Sequence, residues 1–258
     1  FVTKESNSKA VQHLTGGIVS EILVKDGDVV KAGQTLVRMN AVTAESNAGV
    51  TRAQYFTARA TEARLLAERD GAKALVYPAE LDNAATDPRV AQVRTLQSQL
   101  FSSRQLSLQN ELGAFDENIA GMKLQVKGLQ EVLGNERAQL GFLKEQLGGM
   151  RDLAKEGYVA RNRLLDLERT YAQINGSIAE NIGQIGRLQR QTAELNLRRA
   201  QRVQDFQKEV RTQLADVQRE AEALGSRLQA VDFELANVDV KAPVDGIVVG
   251  VAVFTKGG

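Results

Sequence analysis

The sequence predicts an α+β chain in which a long antiparallel α-helical coiled-coil hairpin, built from three helices, is inserted between two short β segments. Three observations carry this. The end segments Ala10 to Asn40 and Val238 to Phe254 set branched apolar residues between Gly and Asp turns, whereas the interval between them is rich in Gln, Arg, Glu, Leu and Ala. Only three prolines occur, Pro78, Pro88 and Pro243, so no helix breaker interrupts the stretch from Arg89 to Ala242. Over most of that stretch apolar residues alternate at spacings of three and four, which is the pattern of a coiled-coil seam.

Residues 1–10 read as a lead-in strand or a disordered segment. Over 11–40, Ile18, Ile22 and Val24, then Val29 and Val30, then Leu36 and Val37 predict short strands, separated by Gly16-Gly17, Asp26-Gly27-Asp28 and Ala32-Gly33-Gln34. His13 reads as an ordinary strand residue. Over 238–258, Val240 and then Ile247, Val248, Val249, Val251 and Val253 flank the turn at Asp245-Gly246. Neither end has enough strands to make a stable sheet, so the two are expected to pair, with Ile247 to Val251 against strands from Gly17 to Val37. Everything between must then leave and return to one place.

The helical interval spans 41–237, with helices expected at about 44–70, 88–156 and 161–237. The first carries a narrow seam at Ala53, Phe56, Ala60, Ala63 and Ala67 and ends at Gly71, before Tyr77-Pro78. Asp87 suits the N-cap of the second, with Pro88 at its first position. Its seam runs Leu108, Leu112, Phe115, Ile119, Met122, Val126, Leu129, Leu133, Glu136, Leu140, Leu143, Leu147 and Met150. The register breaks over Lys155 to Val159, where Gly157 suits a left-handed C′ position. The third helix runs Leu164, Leu167, Tyr171, Ile174, Ile178, Asn181, Ile185, Leu188, Thr192 and Leu195, then Leu214 to Val238. A descending leg of about 80 residues would be ~120 Å long. The first helix either overlaps the second near the base or stacks on its end. Val203, Phe206, Val210, Leu214 and Val217 form a stutter, and the ascending leg loses its heptads between Leu100 and Leu108, which predicts nearly straight helices there.

Charge and composition narrow the function. Lys and Arg number 33 against 32 Asp and Glu, a net charge of +1, which leaves no footprint for nucleic acid. Without cysteine, and with His13 alone, there is no thiolate or paired-histidine metal site, and the absence of cysteine fits either compartment. No run approaches the ~20 apolar residues of a membrane span. The chain starts without Met and stops at Gly257-Gly258, so it reads as an excised fragment lacking any anchor. The helix carboxylates alternate with Arg and Lys as a solvated face, so no catalytic acid/base pair is expected.

Val11 to Val19, followed by Val24 to Gln34, looks like the first half of a biotinyl/lipoyl-type module, and Lys241-Ala242-Pro243-Val244-Asp245-Gly246-Ile247-Val248 looks like the second. Split around a coiled-coil hairpin, these halves resemble the membrane fusion, or periplasmic adaptor, proteins of the HlyD family. Glu68-Arg69-Asp70-Gly71 with Val76-Tyr77-Pro78-Ala79-Glu80-Leu81 is similar to the protease and lipase exporters of type I secretion. The resemblance implies a lipoyl half over 11–40, a helical hairpin over 41–237 and a second lipoyl half over 238–258. It further implies a non-enzymatic adaptor without cofactor, the periplasmic portion of an inner-membrane-anchored protein. Its partners would be an inner-membrane ABC transporter, a TolC-like outer-membrane channel and an exported protein substrate. Assembly would be as a homo-oligomeric hexamer, with the fragment monomeric in dilute solution.

At the hairpin tip the family carries an Arg, a Leu four residues later and a Ser or Thr seven after that, used to meet the channel. Leu153 matches the middle position, but Gly149 and Ala160 stand at the others. The expected tip contacts are Gly149, Arg151, Leu153, Gly157, Tyr158, Ala160 and Arg161, with Arg151 and Arg161 in place of the missing basic contact. Asn162 is the nearest substitute for the missing hydroxyl cap.

Gly113, Gly134, Gly141 and Gly148 share one heptad position outside the seam, and Gly121 and Gly128 share the adjacent one. These glycines read as tolerated neutral positions, as close packing between neighbouring hairpins, or as a source of flexibility. Alternative functions are a multidrug-efflux adaptor, for which the first helix would be superfluous, and a cytoplasmic coiled-coil spacer. A lipoyl or biotinyl carrier is the alternative of another class, but no modifiable Met-Lys-Met or Asp-Lys-Ala turn joins the halves.

Overall fold

The computed structural model describes residues 8–13 and 16–251. The expected strand end at Phe254 and most of the lead-in over 1–10 lie outside the described residues. Contacts divide the chain into two compact units, one formed by residues up to Phe101 and from Val210 onward, the other by Ser102–Glu209.

In the first unit, β1 (Val19–Ile22), β2 (Val29–Val30), β3 (Thr35–Met39), β4 (Val240–Lys241) and β5 (Gly246–Ile247) form two small sheets. One has the order β1-β3-β4 and the other pairs β2 with β5, all antiparallel. Both sheets therefore take strands from the two ends of the sequence. Val37 pairs with Val240 and Val29 with Ile247, and the Gly33 amide donates to the Ala242 carbonyl at 2.8 Å. Ala242 is buried with Val24, Val30 and Leu36, so the second half closes the core of the first. Asp245 adds a side-chain tie by accepting the Ala32 amide at 2.6 Å. His13 lies before β1 and outside any strand, a correction to the expectation. The positive φ of Gly16 and of Gly17 interrupts the extended run between it and Val19.

The helices of this unit are α1 (Val42–Arg69), α2 (Ala79–Asn83), the first turns of α3 (Pro88–Lys155) and the last turns of α4 (Arg161–Ala236). Helix α1 starts two residues ahead of Ala44, where the Asn40 side chain accepts the Val42 amide at 3.0 Å. It ends in a Schellman motif, with the Ala72 amide on the Ala67 carbonyl, the Gly71 amide on the Glu68 carbonyl, and Gly71 at φ +61. Asp87 caps α3 by accepting the Arg89 amide at 2.9 Å, and Pro88 fills the first helical position.

Helix α1 lies beside the start of α3 and runs in the same direction. Its Gly49 to Thr57 stretch lines a groove shared with Asp87 to Val93, and one to two turns on, Arg64 donates to Gln97 at 2.7 Å. Against α4 it runs antiparallel, through Arg52–Asp232 at 2.6 Å, Tyr55 against Gly225, and Gln218 donating to Glu62. The first helix thus overlaps the second. Parallel neighbours in sequence need a chain that doubles back, and the connector from Gly71 to Asp87, with α2, supplies it. The narrow seam expected on α1 is consequently too narrow: Glu62, Ala63, Arg64 and Leu65 are all buried in succession. A single stripe cannot account for four consecutive buried residues, and packing on several sides does.

In the second unit α3 and α4 are antiparallel. Successive contacts step from Arg104–Glu209 at 3.1 Å through Glu111–Arg202 and Asp116–Arg199 at 2.7 Å to Met122–Thr192 and Arg151–Glu168 at 3.2 Å. Ile119, Leu133, Leu147 and Ile185, all seam positions, are buried.

Candidate functional site at the hairpin turn

The turn between α3 and α4 is built by local rules. The Tyr158 amide donates to the Leu153 carbonyl at 3.0 Å and the Gly157 amide to the Ala154 carbonyl at 3.2 Å, with Gly157 at φ +82. This is a second complete Schellman motif, and it sets Tyr158 in a defined position just beyond the helix end. Tyr158 is 78% exposed and Leu153 44% exposed. Tyr158 is almost fully open to solvent and Leu153 presents a large part of its side chain there.

Gly149, Arg151, Gly157, Ala160 and Arg161 are exposed as well. Arg151 is engaged across the hairpin by Glu168, with Nε and Nη2 each 3.2 Å from Oε1. The beginning of α4 corrects one expectation. The helix starts at Arg161, its first turn closes with the Arg163 amide on the Ala160 carbonyl at 3.0 Å, and Asn162 lies inside the helix instead of capping it. Ala160 therefore occupies the N-cap with no side-chain acceptor. With Arg161 and Arg163 but no acidic residue in the first turn, this end of the helix is electropositive.

The helix glycines form a separate feature. A Cβ added at Gly113, Gly121, Gly128, Gly134, Gly141, Gly148 or Gly149 would meet nothing within 4 Å, so no contact inside the chain requires glycine there. Phe142, beside Gly141, is 74% exposed. Sequence reasoning missed it because it lies one position away from the seam that drew attention. Gly225 was also missed: a Cβ added there would stand 3.3 Å from the Tyr55 ring, closer than at any other helical glycine among the described residues.

The Val76 to Leu81 motif acts at the base. The Tyr77 hydroxyl donates to the Arg94 carbonyl at 2.6 Å and lies 2.8 Å from Ser98 Oγ, while the Arg94 guanidinium sits 4.8 Å above its ring. Glu80 accepts from Tyr55 at 3.0 Å and from Arg59 at 2.6 Å. Leu81 is fully buried with Ala60 and Val90. Burial, followed by the hydrogen bond to Glu80, holds the Tyr55 hydroxyl above the ordinary tyrosine range. The motif thus clasps α1 to the start of α3.

A family model described as AprE, long alpha-helical hairpin, matches residues 44–234. The chain belongs to the AprE family. Its AprE-type hairpin includes α1 and the clasp as well as the two long legs. The alkaline protease secretion protein AprE of Pseudomonas aeruginosa is 44% identical over 97% of this chain and 58% of its own length. The proteases secretion protein PrtE of Dickeya chrysanthemi is 41% identical over 100% and 57%. The chain thus spans less than three fifths of these relatives. The crystal structure of the soluble domain of LipC, a membrane fusion protein of a type I secretion system, superposes with a TM-score of 0.91. It is 46% identical and covers 98% of this chain and 95% of that one. Among the described residues no helix is long and apolar enough to cross a membrane.

Proposed function

We propose that this chain is the lipoyl and hairpin portion of a periplasmic adaptor of type I secretion, joining an inner-membrane ABC transporter to a TolC-like outer-membrane channel for passage of an exported protein. The observation that carries the reading is the near-complete superposition on the soluble domain of LipC at 46% identity. The relatives named for protease secretion support an exported protein as cargo. The mechanism is structural and needs no cofactor. In the assembled system the protein works as a homo-hexamer anchored in the inner membrane, while the isolated chain is monomeric in dilute solution.

The hairpin turn is the channel contact. Leu153 and Tyr158 offer exposed apolar surface at a turn whose backbone is fixed by its own hydrogen bonds, so docking has side chains but not backbone to order. Arg161 lies beside them at the electropositive start of α4. The exposed glycines from Gly113 to Gly148 serve close approach of neighbouring hairpins, since nothing in the chain itself needs them.

The test is Leu153→Asp in the full-length protein, placed in a strain that lacks its own adaptor. Secretion of the exported protein is expected to be lost while the melting temperature stays within about 2 °C of the parent, as for a surface substitution. Secretion intact with a lowered melting temperature would reverse the assignment.

A further inference from the structure

In the seam of the second unit Glu136 of α3 sets a carboxylate against α4. Its two carboxylate oxygens are divided between two donors: the Ser177 hydroxyl donates to Oε1, and Asn181 Nδ2 donates to Oε2 at 2.8 Å. All three side chains are half-buried. Glu136 and Asn181 both occupy seam positions, so this is a polar contact inside the coiled-coil interface and not a surface ion pair.

We infer that the Glu136–Ser177–Asn181 contact is the element that locks the register of the two legs. The contact Met122–Thr192 defines the alignment. Stepping along the seam by threes and fours from that pair brings Glu136 level with Ile178 and Asn181 level with Leu133. A slide of one heptad toward Tyr171 sets Leu129, Leu133, Leu140 and Leu143 level with Ile178, Ile174, Leu167 and Leu164, so hydrophobic burial in these layers discriminates weakly between the two registers. A one-heptad slide in either direction brings Glu136 level with Tyr171 or Ile185, and Asn181 level with Val126 or Leu140. Carboxylate and amide are then separated: Asn181 faces apolar side chains, and Thr170 or Gln184 stands where Ser177 met Glu136. A half-buried amide and carboxylate that lose each other retain desolvation cost without full compensation. The contact therefore specifies one alignment from within the seam, about twenty residues from the turn at Gly157, and the ion pairs Glu111–Arg202, Asp116–Arg199 and Arg151–Glu168 agree with it at the surface.

The chain has no cysteine, so introduced pairs report alignment directly. Leu129→Cys with Ile185→Cys is level in the observed register, and Leu129→Cys with Ile178→Cys is offset by one heptad. Oxidation of the parent is expected to close the level pair only. Replacing both partners, as Glu136→Leu with Asn181→Leu, is expected to preserve helicity and to let the offset pair close, with the fraction rising when Gly157→Ala also weakens the turn. Failure of the offset pair to close in the triple variant, with its helical circular dichroism intact, would overturn the inference. A second readout guards against loss of folding. Glu136→Leu alone is expected to lower the melting temperature relative to the double replacement, because it leaves Asn181 facing an apolar partner. The reverse order would show that the two residues are not coupled.

Discussion

Glu111 and Arg202 show how single side chains tie the legs where the seam is weakest. The hydrogen bond from Arg202 holds the Glu111 carboxyl below the ordinary carboxylate range, and the same bond raises the Arg202 guanidinium. A lowered native pKa stabilises the fold at pH above the unfolded value of about 4.3, and that contribution is lost as pH falls through the lowered native value. Glu111→Gln is therefore expected to flatten the acid side of a plot of melting temperature against pH and to leave its neutral to alkaline side parallel to the parent. An unchanged acid limb would show that the pair does not couple to folding. Local chemistry of this scale was readable where one residue type has one suitable role, as with Asp87 at an N-cap and Gly71 and Gly157 at positive φ. It was not readable at Ala160, which occupies the N-cap because the preceding turn ends there and not because its side chain favours the position.

At the scale of the element, α3 carries glycines that the isolated chain does not use. Each costs its helix up to about 1 kcal/mol relative to alanine. Gly134→Ala with Gly141→Ala meets open space at both positions and is expected to stabilise the isolated chain by about 1–2 kcal/mol, seen as a rise of several degrees in melting temperature. A fall would mean that the helix needs flexibility or a contact at these positions for its own folding. If the glycines serve neighbouring hairpins, the same variant loses secretion while gaining stability. Helix α1 makes the contrast. Its alanine seam was visible as a period, but its burial on further sides comes from α2, α3 and α4, which no periodicity within α1 encodes. The short helix α2 had a local signal in Pro78 followed by Ala-Glu-Leu-Asp, an extended residue leading into helix formers with acids in the first turn.

For the whole molecule, the closure of the two sequence ends into one β core makes each end depend on the other. Deleting 238–258 removes β4 and β5, the partners of β3 and β2, and takes Ala242 from the core. Sheets this small do not persist when halved. Amide exchange protection over Val19–Met39 is expected to disappear in the deletion, with helical circular dichroism largely retained. Protection that survives would show that the first half folds alone.

The sequence by itself determined the long helices, their ends at Gly71 and Gly157, and the complementary β segments, because each depends on residues within one or two turns or on a simple alternation. Tertiary structure alone decided that α1 runs beside α3, that Arg64, Glu68 and Gln97 are buried together, and that Glu136 answers to Ser177 and Asn181. A hydrophobic period states that a face is covered and leaves open what covers it. That choice rests on loop connections and on desolvated polar groups finding partners far away in the chain, neither of which leaves a periodic trace.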